Sequence, residues 1–131
     1  MRCLIVDDST IFLRAAGAVL EREGVAVTVA STGGEAHRLI DEVEPDVVLV
    51  DVDLGDENGF DVVAQLSARA RSSDRAPHLI LISSHGRQDL EELLADSPAL
   101  GFLSKSSLSV TAIRTMVDDG GHGPASAPRG R

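Results

Sequence analysis

The sequence predicts an α/β fold in three layers, a five-stranded parallel sheet with five helices covering its two faces. Two observations carry this. Short apolar runs rich in β-branched residues alternate with amphipathic stretches in five successive β-α units. The central run, in Val47–Phe60 (VVLVDVDLGDENGF), has four apolar, mostly β-branched residues that lead straight into Asp51 and a polar, Gly-bearing stretch, as a buried strand leading into a loop should.

In order, Cys3–Val6 (CLIV) reads as a buried strand ending at Asp7-Asp8. Ser9–Glu23 reads as a helix with Phe12, Ala16, Val19 and Leu20 near one face, stopped at Gly24. Val25–Ala30 is valine-rich and strand-like. Gly34–Val43 carries Ala36, Leu39, Ile40 and Val43 at helical spacing, and Glu44-Pro45 breaks it. The central strand follows, then a loop in which Gly55, Asn58 and Gly59 allow sharp turning. Gly59–Ala70 is a helix with Val62, Val63 and Leu66 inward, and Arg71–Pro77 is a loop. His78–Ile82 (HLILI) is a buried strand ending at Ser83-Ser84. Arg87–Ala95 is a helix with Leu90, Leu93 and Leu94 on one side, Leu100–Leu103 is a short strand with Lys105 close behind, and Leu108–Val117 is the last helix. From Asp118 the composition turns to Gly, Pro, Ala and Ser, so residues 119–131 are expected to be a disordered tail or linker remnant after a domain of residues 1–118.

Composition narrows the function. A length of 131 residues with 43% hydrophobic content suits one domain with a real core. The net charge of -9 argues against direct nucleic-acid binding and suits a divalent cation or a basic partner. Cys3 is the single cysteine, so no internal disulfide forms, and it reads as a small buried hydrophobe. The N-terminus lacks a signal-peptide pattern and no apolar stretch spans a bilayer; a cytoplasmic protein without membrane contact is expected.

In a parallel sheet the strand ends share one crevice, where ligands bind. Asp7 and Asp8, Asp51, Ser83 and Lys105 all fall there. Two carboxylates ~4 Å apart at an effective dielectric of ~20 repel by on the order of 4 kcal/mol. A hard divalent cation such as Mg²⁺ relieves that cost, Lys105 adds positive charge, and Ser83 offers a hydroxyl. These are the parts needed to make an aspartate a phosphoryl acceptor. Singly, each has a plainer reading: Asp7-Asp8 as a helix cap, Asp51 and Ser83 as turn or cap residues, Lys105 as a solvated lysine, Phe102 as core, His37 as solvent-facing. His78 and His85 are too far apart in sequence to suggest a ligand pair.

With these residues in place, the chain resembles a receiver domain of the two-component response-regulator family, near in length to the single-domain chemotaxis regulator, over Met1 to Asp118. The resemblance implies a flavodoxin-like sheet of order 2-1-3-4-5. It implies that Asp51 is the phosphorylated residue, that Asp8 binds Mg²⁺ directly and Asp7 largely through water, and that the Asp53 backbone carbonyl is the third protein ligand. Ser83 then matches the switch hydroxyl, Lys105 the family lysine, Phe102 the aromatic switch expected to turn inward, and Gly59 the loop glycine. A histidine kinase or phosphotransfer protein is the implied donor. The output would be a downstream protein docking on the face of the Arg87–Ala95 helix, the Leu100–Leu103 strand and the last helix, with relay onward and dimerisation on phosphorylation left open. No enzyme activity of its own is implied.

Ser106 stands where the family usually has a cis proline, which favours a trans bond or a rearranged loop, and Gly55 stands where proline is common, which favours a more mobile loop. Asp53 and His85 sit where side chains tune phosphoryl lifetime, and Ser84 takes a small-residue position. Two rival readings remain. The Asp51-x-Asp53 pair resembles the nucleophile and acid/base of a haloacid-dehalogenase-type phosphatase, although that family's further acids follow the lysine, where only Asp118-Asp119 stands. A receiver-like interaction module that works without phosphorylation is the other.

Overall fold

A computed structural model of the chain describes residues 1–70, 76–84 and 92–121. Counting sheet strands alone, the order along the chain is β1 (Arg2–Val6), α1 (Thr10–Arg22), β2 (Ala26–Ala30), α2 (Gly33–Val43), β3 (Val47–Asp51), α3 (Gly59–Ala70) and β4 (His78–Ser83). A helical turn at 92–94, here α4, then leads to β5 (Gly101–Ser104), a 3-10 turn (Lys105–Ser107) and α5 (Val110–Gly121). The five strands form one parallel sheet in the order β2-β1-β3-β4-β5. None of the helices described is long and apolar enough to cross a membrane.

The pleat divides the core. Leu4, Val6, Val48, Val50, Leu79, Leu81 and Phe102 face the side covered by α2 and α3. Cys3, Ile5, Val47, Leu49, Ile80 and Ile82 face the side covered by α1 and α5. β3 lies at the centre and all five of its residues are buried. Its first four residues, Val47 to Val50, are apolar for this reason, since the strand has no face to give to water. Burial also pushes the Cys3 thiol up to about 12, which leaves it inert at neutral pH.

Side chains cap the helices where the sequence turns polar. Ser9 Oγ accepts from the Phe12 N–H and starts α1, and Thr32 Oγ1 accepts from the Glu35 N–H and starts α2. Asn58 Oδ1 accepts from the Phe60 N–H at the head of α3, and Ser109 Oγ accepts from the Ala112 N–H at the head of α5.

Several expectations shift by small amounts. On α1 the buried face is Leu13, Ala16, Gly17 and Leu20, an i, i+3, i+4, i+7 stripe, while Val19 lies on its flank at 38% exposure. His37 is half-buried and within 3.3 Å of Gln65 Oε1 rather than facing solvent. α5 runs to Gly121, past the composition change at Asp118, and residues 122–131 lie outside those described. Of the expected Arg87–Ala95 helix, residues 92–94 are helical; its earlier part, with Leu90, and His85 lie outside the described residues, as does 71–75 of the Arg71–Pro77 loop.

Candidate functional site

The sheet's registers bring the candidate residues to one edge. Val6 pairs with Val50, so Asp7 and Asp51 follow side by side at the ends of adjacent strands. The pleat carries Asp7 on from Ile5 and Asp51 on from Leu49, toward the side covered by α1 and α5. Both are buried, Asp7 fully and Asp51 at 5% exposure. Asp8, one residue on, is exposed. Carboxylate oxygens of Asp7, Asp8 and Asp51 all lie within 4.8 Å of one another.

Lys105 reaches this cluster from the 3-10 turn after β5. Its Nζ lies 2.6 Å from Asp7 Oδ2 and 3.3 Å from Asp51 Oδ2. The same ammonium sits 4.5 Å from the Phe12 ring centroid, so α1 supplies an aromatic face beneath it. Asp7 Oδ1 accepts from the Ser9 N–H at 2.8 Å, and Asp51 Oδ1 from the Asp53 N–H at 3.3 Å. Asp7 Oδ2 is buried, and the Lys105 ammonium pairs with it as an ion rather than in a well-formed hydrogen bond.

Electrostatics set Asp51 apart. Burial, and then the Asp7 carboxylate, push its carboxyl up from 3.8 to about 6 against the opposing pull of the Asp53 N–H and Lys105. Burial draws Lys105 down, but the Asp7 and Asp51 carboxylates outweigh it and raise it above its ordinary value. One lysine thus serves two carboxylates, a cluster short of positive charge. A donor set made only of carboxylate oxygens, one of them buried with only an ion pair to satisfy it, fits a hard divalent cation.

The loop after Asp51 contains a short paired segment. Asp53–Leu54 and Glu57–Asn58 pair as a small antiparallel ribbon, with Gly55 at φ +72 in its turn and Leu54 buried in the core. A Cβ on Gly55 would lie 3.2 Å from Asp8 Oδ2, so the turn passes directly beside that acid. Gly59 has no space for a side chain at all. A methyl there would run into the Asp51 carbonyl oxygen and come within 2.7 Å of the Val52 Cα.

Ser83 is buried at the end of β4, one residue beyond the Asp51–Ile82 pair and in register with Ser104. Phe102, paired with Leu81, is buried at 6% exposure. The inward turn expected of it therefore has no outward starting position here. No cis peptide bond occurs among the described residues. Where proline was expected, Ser106 instead donates its N–H to Ser104 Oγ at 3.3 Å, and the two hydroxyls meet at 2.8 Å, closing the 3-10 turn that presents Lys105. Asp118 is far from these residues, lining a cleft with Met1, Asp46, Val47 and His78 at the opposite edge of the sheet.

Sequence reasoning missed the Asp7–Lys105 contact, Phe12 beneath the ammonium, and a bond from the Gly33 N–H to Glu57 Oε1. Glycine at the first position of a helix, a poor helix former, was the available signal for the last of these.

A sequence profile for the response regulator receiver domain matches residues 3–118. Protein PilH of Pseudomonas aeruginosa is 31% identical over 115 residues, covering 88% of this chain and 93% of its own. The alginate biosynthesis transcriptional regulatory protein AlgB of the same species is 31% identical over 79% of this chain, and the aerobic respiration control sensor protein ArcB of Escherichia coli is 31% identical over 89% of it. This chain spans only 22% of AlgB and 15% of ArcB. Among solved structures, the chemotaxis protein CheY4 of Vibrio cholerae superposes with a TM-score of 0.76 at 21% identity, covering 89% of this chain and 96% of that one. A CheY-like receiver domain protein of Methanospirillum hungatei superposes at 0.71 with 23% identity, covering 89% and 90%.

Proposed function

The chain belongs to the response regulator receiver domain family of two-component systems, and on that footing we propose that Asp51 accepts a phosphoryl group from a histidine kinase or phosphotransfer protein. The observation that carries this reading is the convergence of Asp7, Asp8, Asp51 and Lys105 at one sheet edge. An Asp51 oxygen attacks the phosphorus of a phosphohistidine, the O–P bond forms as the N–P bond breaks, and the imidazole leaves with the electron pair and takes up a proton.

Asp8, Asp51 and the Asp53 carbonyl would hold Mg²⁺, with Asp7, already engaged by Lys105, acting through water. Bound there, the ion supplies positive charge that offsets the clustered acids and the phosphoryl oxygens. Lys105 reaches Asp51 already, and moving its ammonium from the carboxylates to a phosphoryl oxygen is a small step. Ser83 donates its hydroxyl to a second oxygen. The resulting rearrangement shifts the population between two packings of the α4, β5 and α5 face, where a downstream protein docks. We place the protein in the cytoplasm, as an acceptor without turnover of its own substrate.

The phosphatase reading has no support in the geometry. Asp118, the acid it needs after the lysine, lies at the wrong edge of the sheet. Beryllofluoride, a phosphoryl mimic, tests the proposal by NMR titration. Binding that requires Mg²⁺ and vanishes in Asp51→Asn is expected. No binding at millimolar Mg²⁺ would instead favour an interaction module that works without phosphorylation. Sustained hydrolysis of p-nitrophenyl phosphate, abolished by Asp53→Ala, would restore the phosphatase.

A further inference from the structure

We propose that Glu57 is a positioning residue that ties the loop after Asp51 to the head of α2 and thereby sets where the Asp53 carbonyl sits. The Gly33 N–H donates to Glu57 Oε1 at 2.8 Å. This joins residues 24 apart in sequence through a charge-assisted bond at a helix N-terminus, where a carboxylate is favoured. The approach depends on glycine at position 33. A Cβ there would lie 2.6 Å from Glu57 Oε2 and 3.0 Å from a Val62 methyl.

The ribbon passes the restraint on. Glu57 pairs with Leu54 and Asn58 with Asp53, so a shift of Glu57 moves the strand that bears the Asp53 carbonyl. Leu54 anchors one side of the ribbon in the core, and Asn58 anchors its exit on α3. Glu57 supplies the remaining anchor, on α2. The ribbon's turn runs beside Asp8, so its placement also fixes the distance between that acid and the loop. This strap rests on the phosphoacceptor reading, since it matters to function only if the Asp53 carbonyl is a ligand.

The test measures Mg²⁺ affinity by calorimetry in the wild type, Glu57→Gln, Glu57→Ala, Gly33→Ala and the double variant, with amide hydrogen exchange at Gly33 and Leu54. Loss of an outer partner of a metal site weakens binding by roughly 10-fold or more. Glu57→Ala is expected to do this and to speed exchange at Gly33. Glu57→Gln keeps an acceptor for the same N–H and is expected to recover most of the affinity, which a mere loss of stability would not do. Gly33→Ala should reproduce the loss by expelling the carboxylate, and the two changes together should cost no more than either alone. Wild-type affinity in Glu57→Ala, or additive losses in the double variant, would overturn the strap. A wild type that binds no Mg²⁺ would overturn the phosphoacceptor reading itself, and with it the strap's role; exchange at Gly33 would then still show whether the bond holds.

Discussion

Asp51 is held between opposing influences, and its acidity records the balance. Its carboxyl titrates near 6 in the folded protein against 3.8 for a free side chain. Between those values the folded state keeps a proton that the unfolded state has lost. Stability in metal-free buffer therefore falls as pH rises from about 4 to about 6 and stays lower above, by on the order of 1–3 kcal/mol. Asp51→Asn carries no such charge, so its unfolding free energy should lack that decline and exceed the wild type's at neutral pH. Denaturant melts across that pH range check this; parallel curves for the two proteins would contradict it. Strand ends in a parallel sheet share an edge by topology, so the identities of Asp7, Asp51 and Lys105 were legible in the sequence. The sharing of one ammonium by two acids was not, because it depends on how far the Lys105 side chain reaches back from a turn whose form Ser104 and Ser106 decide.

Elements meet most tightly where β3 hands over to α3. The Gly59 N–H donates to the Val52 carbonyl at 2.8 Å, and the first turn of the helix lies against the backbone of Asp51. Gly59→Ala must push that backbone aside, at a cost of about 1–3 kcal/mol by analogy with overpacked cores, and should blunt Mg²⁺ binding by displacing the loop. Chemical denaturation and calorimetry measure both; an alanine variant of unchanged stability and affinity would mean the helix head can retreat freely. The strands were readable because three of them carry continuous apolar runs, and the helices because their buried stripes repeat at 3.6 residues. The ribbon at 53–58 was not, since two-residue strands carry no periodicity and the burial of Leu54 leaves no mark in so short a segment. The flank position of Val19 likewise turns on the angle at which α1 meets the sheet, which spacing alone leaves free.

At the scale of the molecule, one sheet edge gathers charge that the rest of the fold keeps out. Two buried acids, an exposed third and one lysine share the space, while the core below is apolar on both faces. A divalent cation and a phosphoryl group, the ligands proposed above, would relieve this repulsion on binding. Intact-protein mass spectrometry after incubation with acetyl phosphate and Mg²⁺ measures this most directly. One phosphoryl increment is predicted on the wild type, absent without Mg²⁺ and absent in Asp51→Asn. An unmodified wild type, or an increment that survives in Asp51→Asn, would contradict it.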